Sequence, residues 1–159
     1  MKRFIPVIIF LYAASASAQV SLSAGATVDG VALGATYKEV VAKFGKPLRE
    51  RTNKMDECIG DRTRVVEYPG LKFELAETNG TFTVYNFELT SAKHEVSGVR
   101  VGDQAAAVQK RFGTRGRKIE KSTGGTRWFY EMPAENPGGT SVQFRAGRVV
   151  SISSSYMMC

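Results

Sequence analysis

His94 is the single histidine of the chain and the first residue to weigh for chemistry. It stands in a polar connector, Ser91-Ala92-Lys93-His94-Glu95-Val96, with no nucleophile motif and no histidine–carboxylate spacing beside it. A general base needs a proton donor within hydrogen-bond reach, and the local sequence offers none, so His94 reads as a solvated loop histidine. Met157, Met158 and Cys159 would make a soft copper(I) site with His94, since thioether and thiolate suit that ion. The preferred reading places Cys159 in a disulfide and the methionines in tail contacts, so no metal and no cofactor is expected. Asp56 with Glu57, and Glu131 with Glu135, lack a partner pattern for acid–base work and read as solvent-facing charge. No phosphate-binding glycine loop is present. The reactive groups thus argue against an enzyme.

Two other features suit binding. In Trp128-Phe129-Tyr130, strand geometry puts Trp128 and Tyr130 on one face and Phe129 on the other. Aromatic residues with arginine, here Arg127, are the types that anchor protein interfaces. The alternative is a sheet covered on both sides, with these rings inside. The second feature is basic: Lys43, Lys46, Arg49, Arg51 and Lys54 in one stretch, and Lys110, Arg111, Arg115, Arg117, Lys118 and Lys121 in another, the latter set against Glu120 alone. Such patches suit an acidic partner or an anionic lipid or polysaccharide better than nucleic acid. Cations at a helix C-terminus are also favoured by its dipole, which accounts for Lys43 and Arg111 without a ligand. The candidate binding set is therefore Trp128, Tyr130, Arg127, Arg115, Arg117, Lys118 and Lys121.

These residues must be held by a framework that is partly duplicated. Residues 28–46 return as residues 96–114, displaced by 68 positions, with Val28/Val96, Gly30/Gly98, Val31/Val99, Gly34/Gly102, Val40/Val108, Phe44/Phe112 and Gly45/Gly113 identical. All are glycines or apolar residues, so the likeness is a fold instruction. In the first copy Thr36 caps a helix with Glu39 completing a capping box. Tyr37, Val40, Val41 and Phe44 make its apolar stripe, Gly45 ends it and Pro47 keeps it from restarting. In the second copy Asp103 is the expected cap, and Ala105, Val108 and Phe112 make a thinner stripe.

Residues 48–62 read as charged and irregular. Strands are then expected at 64–68, 71–75 and 81–91, and again at 126–132, 141–145 and 148–156, the last with Val150, Ile152 and Tyr156 on one face. Asn79-Gly80 marks a hairpin, and a change of phase between Val84 and Phe87 predicts a bulge near Tyr85 or Asn86. The fold class expected is α+β: two tandem repeats over 28–92 and 96–156, each a short helix packed on an antiparallel meander of about three strands.

The N-terminus reads as an export signal over residues 1–18, followed by a flexible lead-in over 19–29. Lys2 and Arg3 precede the apolar run Phe4 to Ala14, and Ala16-Ser17-Ala18 offers a cleavage site before Gln19. The run is shorter than the roughly 20 apolar residues that a membrane span needs, so no span is expected after cleavage. Removing 18 of 159 residues leaves 141, enough for one compact domain, and losing Lys2 and Arg3 lowers the net charge from +7 to +5. Cys58 and Cys159 both survive cleavage. A bridge between them would close a loop of about 100 residues, worth roughly 4 to 5 kcal/mol in chain-entropy treatments. Free thiols, or pairing between molecules, are the alternatives.

The order of elements, with Gly-Val-x-Leu-Gly-x-Thr-x-x-Glu-Val-x-x-x-Phe-Gly-x-Pro at Gly30 to Pro47, resembles small bacterial envelope modules. These are the outer-membrane assembly lipoproteins of the SmpA/OmlA type and the β-lactamase-inhibitor-protein (BLIP-like) fold. The resemblance implies a helix-plus-sheet fold and a protein-binding habit. It carries over no contact residue, since this chain lacks a lipid-modified cysteine after the signal and a disulfide in each repeat. The function expected is that of an exported (periplasmic or secreted), soluble, non-enzymatic module that binds a protein of the cell envelope, or else anionic lipid or polysaccharide through its basic segments.

Overall fold

The computed structural model describes residues 25–56, 60–115, 117–133 and 137–156. In chain order the elements are β1 (Thr27–Val28), β2 (Val31–Ala32), α1 (Tyr37–Phe44), β3 (Arg49–Asp56), β4 (Gly60–Tyr68), β5 (Leu71–Thr78) and β6 (Thr81–Leu89). They continue with α2 (Ala105–Phe112), β7 (Arg117–Ser122), β8 (Gly125–Glu131), β9 (Gly138–Arg145) and β10 (Arg148–Tyr156). β1 and β2 form a small hairpin; the other eight strands form one antiparallel sheet in the order β3-β4-β5-β6-β10-β9-β8-β7.

This overturns the expected α+β class with two tandem helix-plus-meander repeats. Among the described residues the protein is mostly β, with 55% in strands and two short helices. β6 and β10 pair directly, Leu89 opposite Ile152 and Phe87 opposite Ser154, so every strand after the first hairpin belongs to a continuous sheet. One hydrophobic cluster runs through it, from Val28, Val40, Phe73 and Phe87 to Val108, Phe112, Val142 and Ile152. Val28 and Ala26, at the end of the expected lead-in, are fully buried members of that cluster. Residues 1–24, with the expected signal, lie outside the described residues, as do Cys58 and Cys159 and the bridge expected between them.

Local chemistry explains most elements. In β5, Leu71, Phe73 and Leu75 are buried at alternate positions, as a sheet with one face on a core requires. Asn79 and Gly80 turn the β5–β6 hairpin with φ of 52° and 76°, the positive values that a two-residue turn of this hand needs. Glu74 pairs with Asn86 and Leu75 with Val84, which leaves Tyr85 as the bulged residue. In β10 the irregularity falls between Val149 and Ser151, so the buried apolar residues are Val149 and Ile152, whereas Val150 faces outward. That corrects the alternation expected from Val150.

Helix α1 starts as its sequence says: the amide of Glu39 donates to Thr36 Oγ1 (3.3 Å) and the amide of Thr36 donates to Glu39 Oε2 (2.7 Å). Helix α2 does not start at Asp103. Its cap is Gln104, whose side chain makes no capping bond, and the Asp103 carboxylate accepts from the amide of Arg100 at 2.8 Å instead. The two helix ends are fastened alike. Tyr68 donates to the Gly45 carbonyl (3.0 Å) and stacks on Phe44, whereas Tyr130 reaches the Gly113 carbonyl at 3.5 Å and meets Phe112 edge-on.

Buried and bonded carboxyls give the fold its expected pH dependence. Burial opposes ionisation of Glu74, but hydrogen bonds from Asn86, Lys72 and Tyr85 outweigh it and hold the carboxyl below its usual range. Asp29 is lowered in the same way, against burial, by the amide of Glu95, by His94 and by Lys43. The Arg62 guanidinium lowers Glu77, and the amide of Thr36 lowers Glu39. Native carboxyls with depressed pKa bind fewer protons than unfolded ones, so their contribution is present above the unfolded pKa and is lost as pH falls. Tyr68 and Tyr130 are raised by burial and Tyr37 by its bond to Glu50, so their contribution is lost as pH climbs past the unfolded value. A urea midpoint that is flat between roughly pH 5 and 9, and falls below about 4.5 and above about 10, is the expected result. Glu74→Gln should flatten the acid limb; an unchanged limb would refute the assignment.

Candidate docking face at one edge of the sheet

The last strand in the sheet order, β7, falls in what was expected only as a basic run. It pairs with β8 along its whole length: Arg117 with Tyr130, Ile119 with Trp128 and Lys121 with Thr126. Directly opposed residues share a face, so Arg117, Ile119 and Lys121 lie on the side where Tyr130 meets α2. Lys118 and Glu120 lie on the other side with Phe129 and Arg127.

The expected binding residues divide accordingly. Tyr130 is 3% exposed beneath α2 and belongs to the core. Trp128 is half-buried; its ring packs on Phe144 (centroids 4.5 Å apart) and carries the Arg117 guanidinium at 4.1 Å. Arg117 also reaches Gln109 of α2 through a long 3.4 Å contact. Beside this stack Ile119 is 50% exposed, an unusual place for an isoleucine flanked by charged residues. Lys121 is exposed on the same face. On the opposite face Lys118 is paired with Glu131, and Arg127 lies 3.5 Å from Glu120 and over the Phe129 ring. Arg115 is exposed in the turn before β7. The structure therefore brings together Trp128, Arg117 and Lys121, adds Ile119, sets Arg127 and Lys118 on the opposite face, and buries Tyr130 beneath α2 on the same face. Ile119 was missed because residues 110–121 read as a basic run; its signal was the alternation Arg117, Ile119, Lys121.

A comparable cluster near the other edge is closed. Arg64 lies over Tyr37 and Phe82, 4.5 and 4.2 Å from the ring centroids, and Glu50 answers it at 3.2 Å. Tyr37 donates to Glu50 at 2.7 Å, and Arg62 and Glu77 form a two-pronged pair at 2.5 Å. Each of these cations is answered by a carboxylate within the chain. Among the described residues no carboxylate is paired with Arg117 or Lys121, so the β7 edge presents unneutralised positive charge, as the exposed Arg49 and Arg51 of β3 also do.

His94 is neither solvated nor lacking a partner. Its Nδ1 lies 2.7 Å from Asp29 Oδ2, and its ring meets Phe44 edge-on. Asp29 also accepts from the Glu95 amide at 3.0 Å and donates its own amide to the Glu95 carbonyl. The pair ties the β1–β2 turn to the connector before Val96. Sequence could not show it, because the partners are 65 positions apart.

No protein-family model matches the chain, and no curated protein matches it. Solved structures do. One is an extracellular protein containing an SCP domain from Bacillus anthracis str. Ames, at a TM-score of 0.52 and 16% identity, covering 99% of this chain and 50% of that one. Another is a cysteine-rich secretory protein from Staphylococcus aureus subsp. aureus Mu50, at a TM-score of 0.45 and 14% identity, covering 77% of this chain and 44% of that one. This chain thus spans half or less of the length of each. The likeness to the first is one of fold, and it overturns the resemblance to SmpA/OmlA-type lipoproteins and the BLIP-like fold. Among the described residues no helix is long and apolar enough to cross a membrane.

Proposed function

We propose that this chain is an exported, non-enzymatic protein-binding module whose contact surface is the Trp128–Ile119 face of β7 and β8. The observation that carries this reading is Ile119, half exposed in an edge strand between Arg117 and Lys121 and backed by Trp128. An apolar residue beside a ring-stacked arginine has the composition of an interface anchor. Export is supported by the signal-like residues 1–18 and by likeness of fold to a protein described as extracellular. The non-enzymatic part rests on the sequence, which sets no nucleophile motif beside His94.

The test is partner capture from the envelope and extracellular fractions by the purified protein, compared with variants. Trp128→Ala and Ile119→Asp should each cut recovery about tenfold, the loss of roughly 1.4 kcal/mol, whereas Lys93→Ala on the exposed connector should not. Equal recovery by all variants would sink the reading.

The second reading, attachment to anionic lipid or polysaccharide, draws on Arg115, Arg117 and Lys121. It is weakened by the pairing of Lys118 with Glu131, which removes one cation of the expected patch, and of the neighbouring Arg127 with Glu120. Binding of anionic vesicles that falls steeply with salt would favour it.

A further inference from the structure

We propose that the outer edge of β7 takes up an extended acidic segment of the partner as a ninth strand, with an aliphatic residue opposite Ile119 and carboxylates opposite Arg117 and Lys121. The proposal rests on the protein-binding reading above and names the chemistry of the partner.

The backbone supplies the docking geometry. β7 ends the sheet, and among the described residues it is bonded only to β8, so alternate N–H and C=O groups along its other side face outward. An incoming extended chain satisfies those groups by the same ladder that joins β7 to β8, and its side chains then meet β7 at a period of two residues. The side chains supply the specificity. On the face of Arg117, Ile119 and Lys121, an added strand meets cation, apolar residue and cation in turn. On the other face, Lys118 is already engaged by Glu131 and Glu120 by Arg127, so the incoming residues there meet neutralised pairs. The preferred segment therefore reads acidic, any, aliphatic, any, acidic.

Charge also rejects a second copy of this chain as the occupant. Antiparallel self-pairing about Ile119 sets Arg117 against Lys121 twice, and like charges directly opposite are destabilising. The other edge, β3, lacks the alternation of cation, apolar residue and cation: one face carries Arg49, Arg51 and Asn53, and the other carries Glu50, which is engaged by Arg64 and Tyr37, and Thr52.

The experiment is selection of a displayed library of random ten-residue peptides on the purified full chain, followed by binding of the selected peptides with a fluorescent label. Enrichment of acidic-x-aliphatic-x-acidic is expected. Binding should weaken about tenfold or more when alternate peptide amides are N-methylated, and likewise in Ile119→Asp, since the ladder or the central pair is lost. Lys121→Glu, an exposed change whose folding is checked by its melting curve, should shift the preference at the matching peptide position from acidic to basic. Selection without that pattern, equal binding of N-methylated peptides, or an unshifted Lys121→Glu preference overturns strand addition. Failure of the peptides while partner capture still depends on Ile119 and Trp128 sinks this proposal alone; failure of both sinks the binding reading too. Salt-sensitive binding of anionic vesicles with no peptide selected counts against both.

Discussion

Phe73→Ala is expected to lower the stability of the protein by about 3–5 kcal/mol, the usual cost of removing a fully buried ring. Phe73 has no exposed surface and sits in the middle of β5, opposite Val66 on one side and Phe87 on the other. Its ring lies 5.3 Å from Phe44 of α1, and 6.3 Å from both Tyr68 and Phe87. Truncation therefore opens a space that α1, β4 and β6 all border, and none of them can close it alone. Val66, Leu71 and Leu75 around it are also buried, so collapse into the gap would pull on a packed sheet. Phe73→Leu, which keeps most of the volume, should cost clearly less. Urea unfolding followed by tryptophan fluorescence reads the result, and a loss below about 1 kcal/mol would show that the sheet does not depend on this aromatic contact.

Features set by neighbours in sequence were the legible ones. Thr36, Glu39, Val40 and Gly45 specify α1 within about two and a half turns of one another, and the capping box forms as expected. Asn79-Gly80 and the bulge at Tyr85 are likewise local. Features set by distant partners were not. The joining of β6 to β10 pairs Leu89 with Ile152 through backbone groups that every residue carries, so nothing in either stretch announces the other. The expectation of two separate repeats failed there, although its helices and most of its strands were placed correctly.

The two edges failed for a different reason. Edge strands are kept from aggregating by charged residues, and β3 (Arg49–Asp56) and β7 (Arg117–Ser122) carry so many that the first reads as an irregular charged stretch and the second as a basic run. The same disguise hid Ile119, the residue on which the docking face turns. Trp128 and Tyr130 were rightly assigned to one face, but alternation says only that they share it. Distance from α2 decides that Tyr130 is under the helix and Trp128 is at its margin.

Gly125→Ala is the second substitution expected to have a large effect, and it joins the fold to the docking edge. Gly125 opens β8 with φ of +141°, a conformation that L side chains rarely adopt, and a Cβ there would stand 2.0 Å from the Phe144 carbonyl oxygen. That oxygen belongs to the backbone of β9, where Phe144 pairs with Thr126, so no side-chain rotation relieves the contact. Strain of about 1–3 kcal/mol and an overpacking cost of similar size give an expected loss of about 2–6 kcal/mol. Gly147→Ala is the control, since its Cβ would meet nothing within 4 Å and only the strain of φ +74° is added. Relief at Gly125 requires the start of β8 to move off β9, and the pairs Ser122–Gly125 and Lys121–Thr126 move with it. Hydrogen exchange should therefore show the amides of β7 losing protection before those of β5, together with weaker partner capture. Equal protection in β7 and β5, at unchanged stability, would mean that the β7 edge is not held by this turn.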